Sequence, residues 1–143
     1  MRRGSLLCVF ATARASVFEK AMRLNHLDLA VPDVIASRDF FTAFLGFEHI
    51  ETRGQGGLAV LKDSAGAVLV LSRLRRHGAQ AYPEGFHIGF HLSRREDVLA
   101  LHERLTEANA VTPSEPQVHR GAFSFYFTAP GGLLVEVAAH PSD

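Results

Sequence analysis

The stretch Gly85-Phe86-His87-Ile88-Gly89-Phe90-His91-Leu92 opens the second half of this chain and decides its fold. Side chains on a β-strand alternate between the two faces of the strand. The two histidines and Gly89 therefore share one face, and the four apolar side chains share the other. This pattern predicts a strand with one side in the core and the other side available for chemistry.

The first half of the chain shows the same order of patterns. Residues Arg23 to Val31 alternate as a strand, and a helix is predicted from Val34 to Leu45, with Asp33 as its N-cap and Gly46 as its stop. Three short strands are predicted after it, separated by turn-rich segments. Their predicted bounds are Phe47–Thr52, Gly57–Lys62 and Ala67–Ser72.

The second half repeats this order after a segment rich in glycine, proline and charge. A helix is predicted from Glu96 to Ala108, and strands from Ala122 to Thr128 and from Leu133 to Ala138. The connection through Gln117 to His119 is the least regular part. The sequence therefore predicts an α+β domain with an internal duplication, whose two halves leave a cleft between them.

Composition sets the broad class of protein. The 143 residues are 47% apolar, and 15 basic residues balance 15 acidic ones. This balance gives no reason to expect a nucleic-acid or membrane surface, and no window approaches the roughly 20 apolar residues of a membrane span. The single cysteine, Cys8, excludes an internal disulfide and fits a reducing cytoplasm. We expect a cytoplasmic globular protein.

Residues 1–21 are predicted to lie outside the domain. They resemble a secretory signal only poorly, because Arg14 interrupts the small-residue motif. The alternatives are an upstream start codon ahead of a true start at Met22, and a short helix packed on the outside of the domain. The expected organisation is one domain over residues 22–143, with modules at about 22–73 and 85–140 joined by a linker at about 74–84.

Three residues on different predicted strands form the candidate metal site. His26 and His87 occupy equivalent positions in the two halves, and Glu136 stands in the otherwise apolar run Leu-Leu-Val-Glu-Val. A single strand histidine is more often structural, but a carboxylate in a core-like strand needs a cation as partner. Two imidazoles and one carboxylate suit Fe(II), and less selectively Mn(II), Co(II), Ni(II) or Zn(II).

Three segments resemble the vicinal oxygen chelate superfamily, which includes glyoxalase I, extradiol dioxygenases, fosfomycin-resistance thiol transferases and bleomycin-binding proteins. They are LNHLDLAVPDVIASRDFFTAFLGFE (24–48), FHIGFHL (86–92) and FSFYFTAPGGLLVEV (123–137). The resemblance implies two βαβββ modules that form a curved mixed sheet around a cleft. It also implies a divalent metal ion bound by His26, His87 and Glu136.

The resemblance assigns further roles. Glyoxalase I typically has a fourth ligand, a glutamate, where this chain has Val70, so ordinary glyoxalase I is disfavoured. Tyr126 resembles the tyrosine that extradiol dioxygenases place near the metal, and it is the candidate catalytic residue. Asp28, Val70, His91 and Ser124 are expected to line the substrate cleft, where Asp28 would repel an anionic substrate.

The resulting functional hypothesis is a metal-dependent enzyme that binds a small oxygenated substrate. Lyase or isomerase chemistry, ring cleavage with dioxygen and thiol transfer all use this scaffold, so the reaction type stays open. The alternative is a metal-free protein of the bleomycin-resistance kind, which sequesters a ligand. The resemblance also implies a homodimer, in which His26 of one chain joins His87 and Glu136 of its partner.

Overall fold

The computed structural model describes residues 23–73 and 82–140, so the predictions for residues 1–21 and for most of the linker lie outside the described residues. The first module contains β1 (His26–Val31), α1 (Val34–Phe44), β2 (Glu48–Arg53), β3 (Leu58–Lys62) and β4 (Val68–Arg73). The second contains β5 (His87–His91), α2 (Arg95–Glu107), β6 (Gln117–His119), β7 (Ala122–Thr128) and β8 (Leu134–Ala139). In the described residues, no helix is long and apolar enough to cross a membrane.

The strands form two sheets of the same topology. Sheet A has the order β1-β4-β3-β2, and sheet B has the order β5-β8-β7-β6. In each sheet the first strand of the module runs parallel to the last, and the other pairs are antiparallel. The predicted α+β fold of two βαβββ modules is confirmed, and the irregular connection at residues 117–119 proves to be the second strand of its module, β6.

The pairing register confirms that the modules are equivalent. In sheet A, His26 lies opposite Val68 and Asp28 lies opposite Val70. In sheet B, His87 lies opposite Leu134 and Gly89 lies opposite Glu136. Val70 therefore occupies the position in sheet A that Glu136 occupies in sheet B.

Helix α1 begins and ends where local chemistry dictates. The Asp33 side chain accepts a hydrogen bond from the backbone N–H of Ala36 at 2.9 Å, which satisfies a donor of the first turn. At the other end Gly46 adopts φ = 72°, a conformation that side chains disfavour. The predicted N-cap is thus confirmed, and the helix ends one residue before its predicted limit.

Aromatic side chains of α1 join the two modules into one core. Phe41 is 1% exposed, and its ring centroid lies 6.5 Å from that of Phe90 on β5. Phe40 lies 5.8 Å from Phe127 on β7. Full burial of such a side chain contributes about 1.5–3 kcal/mol. Helix α1 therefore contacts its own sheet and sheet B, and these contacts fix how the modules sit together.

Candidate metal centre

His87 and Glu136 meet on the exposed face of sheet B. Strands β5 and β8 are parallel neighbours, and both residues point to the same face because Gly89, two residues after His87, lies opposite Glu136. Nε2 of His87 is 3.5 Å from Oε2 of Glu136. The His87 side chain is 40% exposed and the Glu136 side chain 23%, so the pair is open to an incoming ion or ligand.

The backbone orients the His87 ring. Nδ1 lies 2.9 Å from the carbonyl oxygen of Gly85. A carbonyl only accepts hydrogen bonds, so Nδ1 must carry the proton, and in the neutral ring Nε2 keeps its lone pair. That lone pair is directed towards Glu136. Such a hydrogen bond behind the ring is a common feature of metal-binding histidines.

Tyr126 completes this group of side chains. It lies opposite Glu136 in the antiparallel pair of β7 and β8. Its hydroxyl donates a hydrogen bond to Oε1 of Glu136 at 2.5 Å, and its ring makes an edge contact with His87. The hydrogen bond to Glu136 and partial burial raise the pKa of the Tyr126 phenol. The phenol therefore stays protonated and holds one carboxylate oxygen while the other faces His87.

His26 lies apart from this pair within one chain. It is exposed on β1, and its Nδ1 is 3.2 Å from Oδ1 of Asn25. It borders a cavity of about 470 Å³ together with Gly89 and His91. In residues 23–73 and 82–140, no three His, Cys, Asp or Glu side chains are close enough to hold a metal ion. The single chain thus unites two of the three predicted ligands.

The predicted cleft residues occupy different environments. Asp28 is exposed and accepts a hydrogen bond from the Ser72 hydroxyl at 2.7 Å, while Val70 is half-buried beside it. His91 is exposed and stacks on His140, with ring centroids 5.3 Å apart. Ser124 shares the face of Tyr126 but is 1% exposed, so its hydroxyl does not reach the surface of the single chain.

The donor set fits a divalent ion in part. His87 offers a correctly oriented Nε2, and Glu136 offers an oxygen without a hydrogen-bond donor among the described residues. Imidazole nitrogen and carboxylate oxygen suit the ions from Mn(II) to Zn(II). Two ligands from one chain leave room for a third from elsewhere.

Two groups at this site were not predicted from the sequence. The Gly85 carbonyl fixes the His87 ring, and Gly89 keeps space open beside Glu136, because a Cβ at Gly89 would lie 3.8 Å from Oε2. The sequence did contain a signal for Gly89, because a glycine within a strand often marks a site where another group comes close to the backbone. The contact between the Gly85 carbonyl and His87 depends on the conformation of the loop before β5, which the types of residue in the sequence do not indicate.

The sequence matches one family of proteins. Residues 23–137 match the family model described as the Glyoxalase/Bleomycin resistance protein/Dioxygenase superfamily, and the chain belongs to this family. No curated protein matches the chain.

Solved structures agree with this assignment. A possible glyoxalase from Bacillus cereus is 35% identical over 83% of this chain and 100% of its own, with a TM-score of 0.74. A glyoxylase/bleomycin resistance protein/dioxygenase domain from Frankia sp. EAN1pec is 21% identical over 85% of this chain and 99% of its own, with a TM-score of 0.72. A lactoylglutathione lyase from Agrobacterium tumefaciens is 21% identical over 83% of this chain and 94% of its own, with a TM-score of 0.65. The last two are similar in fold.

Proposed function

We propose that this chain is a metal-dependent enzyme that binds a small oxygenated substrate at a centre of two histidines and one glutamate. The observation that carries the proposal is the pair of His87 Nε2 and Glu136 Oε2, which lie 3.5 Å apart on an exposed sheet face. The carboxylate stands in a strand of otherwise apolar residues and Tyr126 donates to only one of its oxygens, so an ion would satisfy the other.

His87 and Glu136 would hold the ion, which could be Fe(II), Mn(II), Co(II), Ni(II) or Zn(II). A bound divalent ion of this kind polarises oxygen atoms of a substrate. Gly85 and Tyr126 orient the two ligands through the hydrogen bonds already described. Tyr126 is also the proposed catalytic residue, since its hydroxyl would exchange the hydrogen bond to Glu136 for one to a substrate oxygen beside it.

We propose that a second copy of the chain supplies His26. This arrangement is supported by the separation of His26 from His87 and Glu136 within one chain, where the described residues hold no group of three ligands. It is also supported by the exposure of His26, which leaves the ring available to another subunit. The protein would then be a homodimer with two equivalent sites.

The likeness to a possible glyoxalase at 35% identity favours lyase or isomerase chemistry on a small oxygenated substrate. Ring cleavage with dioxygen and thiol transfer use the same ligand set and stay open as reaction types. A metal-free protein that sequesters a ligand is the alternative from a different class.

The metal content of the protein tests this proposal. Protein purified without chelator, and then supplied with Mn(II), is expected to hold about one ion per chain by elemental analysis. His87→Ala and Glu136→Ala should each remove that ion, whereas His119→Ala, which changes an exposed histidine on β6, should retain it. Protein that folds but binds no stoichiometric metal would overturn the proposal in favour of the sequestering alternative.

A further inference from the structure

The face of sheet A that carries His26 has a second feature, which the proposed metal site does not use. A cavity of about 700 Å³ opens there, and Asp28, Ala30, Leu58 and Ser72 are among the residues that line it. Ser72 lies opposite Ala30 on one side and opposite Leu58 on the other, so these residues form a row across three strands. Asp28 and Ala30 point to the same face as His26 because all three alternate along β1.

Asp28 places a carboxylate in this cavity. Its Oδ1 accepts a hydrogen bond from the Ser72 hydroxyl, which is neutral. In the part of the chain that the structure describes, Asp28 forms no ion pair. Burial, followed by the charge of Asp28, raises the pKa of the Tyr82 phenol.

Two arginines also line the cavity, but both guanidinium groups have other partners. Arg53 contacts both carboxylate oxygens of Glu51, at 2.8 and 2.6 Å, so its charge is matched. Arg73 donates to the carbonyl oxygen of Gly56 at 3.3 Å and is held against the hairpin between β2 and β3. Arg73 keeps its positive charge, because a carbonyl does not neutralise it. Asp28 is the one carboxylate among the described residues that line the cavity, so it is the group that would accept from a cationic ligand.

Apolar side chains lie beside Asp28 on the same face. Val70 is opposite Asp28, Val60 is opposite Val70, and both are half-buried. A ligand on this surface would cover these valines and Leu58 while its polar end reached Asp28. The chemistry that fits is an apolar body with a positively charged hydrogen-bond donor.

We propose that this cavity binds a protonated amine carried on an apolar body, with the Asp28 carboxylate accepting from the ammonium group. The inference rests on the proposed function in one respect, since it takes this face of sheet A as the one that meets the substrate. Asp28 is two residues from His26, or about 7 Å along the strand. The substrate would thus carry its amine at roughly that distance from the atoms at the metal.

A matched set of probes tests the inference. 2-Phenylethylamine and 2-phenylethanol share one apolar body and differ in charge, and 3-phenylpropanoate supplies an anion. Binding to chelator-treated full-length protein at neutral pH is followed through the backbone amide signals of Leu58 and Ser72 in NMR spectra. The amine is expected to bind about fivefold more tightly than the alcohol, and the anion more weakly than both.

Two variants with the same chemical change serve as test and control. Asp28→Asn keeps an acceptor for Ser72 and should abolish the preference for the amine. Asp97→Asn breaks an exposed ion pair with Arg94 on α2 and should leave the preference unchanged. Equal binding of amine and alcohol, tighter binding of the anion, unchanged signals at Leu58 and Ser72, or a preference that survives Asp28→Asn would each overturn the inference.

The result for the amine site can be distinguished from the result for the proposed metal centre. Glu136→Ala is expected to remove the metal ion and to leave the preference for the amine intact. Loss of the preference in Asp28→Asn with metal binding unchanged supports the amine site alone. Loss of metal in Glu136→Ala with no preference in the unsubstituted protein supports the metal centre alone.

Discussion

The Tyr126 hydroxyl lies 2.5 Å from Oε1 of Glu136, its direct partner across β7 and β8. This hydrogen bond sets the orientation of the one carboxylate at the candidate metal centre. The other oxygen, Oε2, faces His87. One oxygen of Glu136 is therefore held by Tyr126, and the other is available to an ion.

Removal of the Tyr126 hydroxyl should weaken metal binding without unfolding the protein. Hydrogen bonds to a ligand typically contribute 10–100-fold to metal affinity, so Tyr126→Phe is expected to raise the Kd for Mn(II) by at least about tenfold. Equilibrium dialysis measures this Kd. Phe127→Leu, in which the changed side chain is buried on the opposite face of β7, is the control for a loss caused by looser packing. An unchanged Kd in Tyr126→Phe would mean that the phenol does not support Glu136.

Mixed dimers test where His26 acts. His26→Ala and Glu136→Ala should each abolish tight Mn(II) binding when prepared alone. If the site spans two chains, an equal mixture after unfolding and refolding should recover roughly a quarter of the tight sites, because about half of the dimers are mixed and each contains one complete site of two. Absence of recovery would indicate that all three ligands act within one chain.

The hairpin between β7 and β8 should be sensitive to a single methyl group. Gly131 adopts φ = 94°, and a Cβ there would lie 3.1 Å from Cδ of Pro32. Gly131→Ala is expected to lower the free energy of unfolding by about 2–3 kcal/mol, since backbone strain adds to a clash with the other module. Gly121→Ala is the matched control, because Gly121 has φ = 84° but no atom within 4 Å of that Cβ. It should cost about 1 kcal/mol in urea unfolding, and equal losses would argue against the contact between modules.

His102 should be replaceable with a gain in stability. Its ring packs edge-on against Phe125, and its Nε2 is buried without a hydrogen-bond partner among the described residues. A buried unpaired polar atom costs about 1–3 kcal/mol, so His102→Leu is expected to raise the free energy of unfolding by about 1 kcal/mol. His119→Leu, at an exposed position, should change it little. A clear loss of stability in His102→Leu would show that Nε2 is paired in solution.

Local patterns predicted most of the fold. Alternation placed most strands within about one residue of their bounds, although β1 begins at His26, three residues after its predicted start at Arg23. Asp33 marked the start of α1 because a carboxylate there satisfies free N–H groups. The pairing of His87 with Glu136 followed from the same alternation, together with the parallel register that a βαβββ module imposes. These features depend on residues close in sequence or in one module.

Other features depend on how the modules pack. The position of His26 relative to the other two predicted ligands is set by contacts such as those of Phe40 and Phe41 of α1 with sheet B, and residue spacing says nothing about these contacts. Ser124 lies between Gln117 of β6 and Ala138 of β8, and its burial likewise depends on what covers this face of the sheet. Alternation predicts which face a side chain points to, but not how deeply that face is covered.

The position of α1 against both sheets has a consequence for the two halves as separate pieces. A fragment that ended after β4 would expose part of Phe40 and Phe41 of α1 to water, because two of their partners, Phe127 and Phe90, belong to the other half. Such a fragment would gain a covered core by pairing with a second fragment of its own kind. The likeness of the halves is what an ancestor made of two short associated polypeptides would leave behind once both were encoded in one gene.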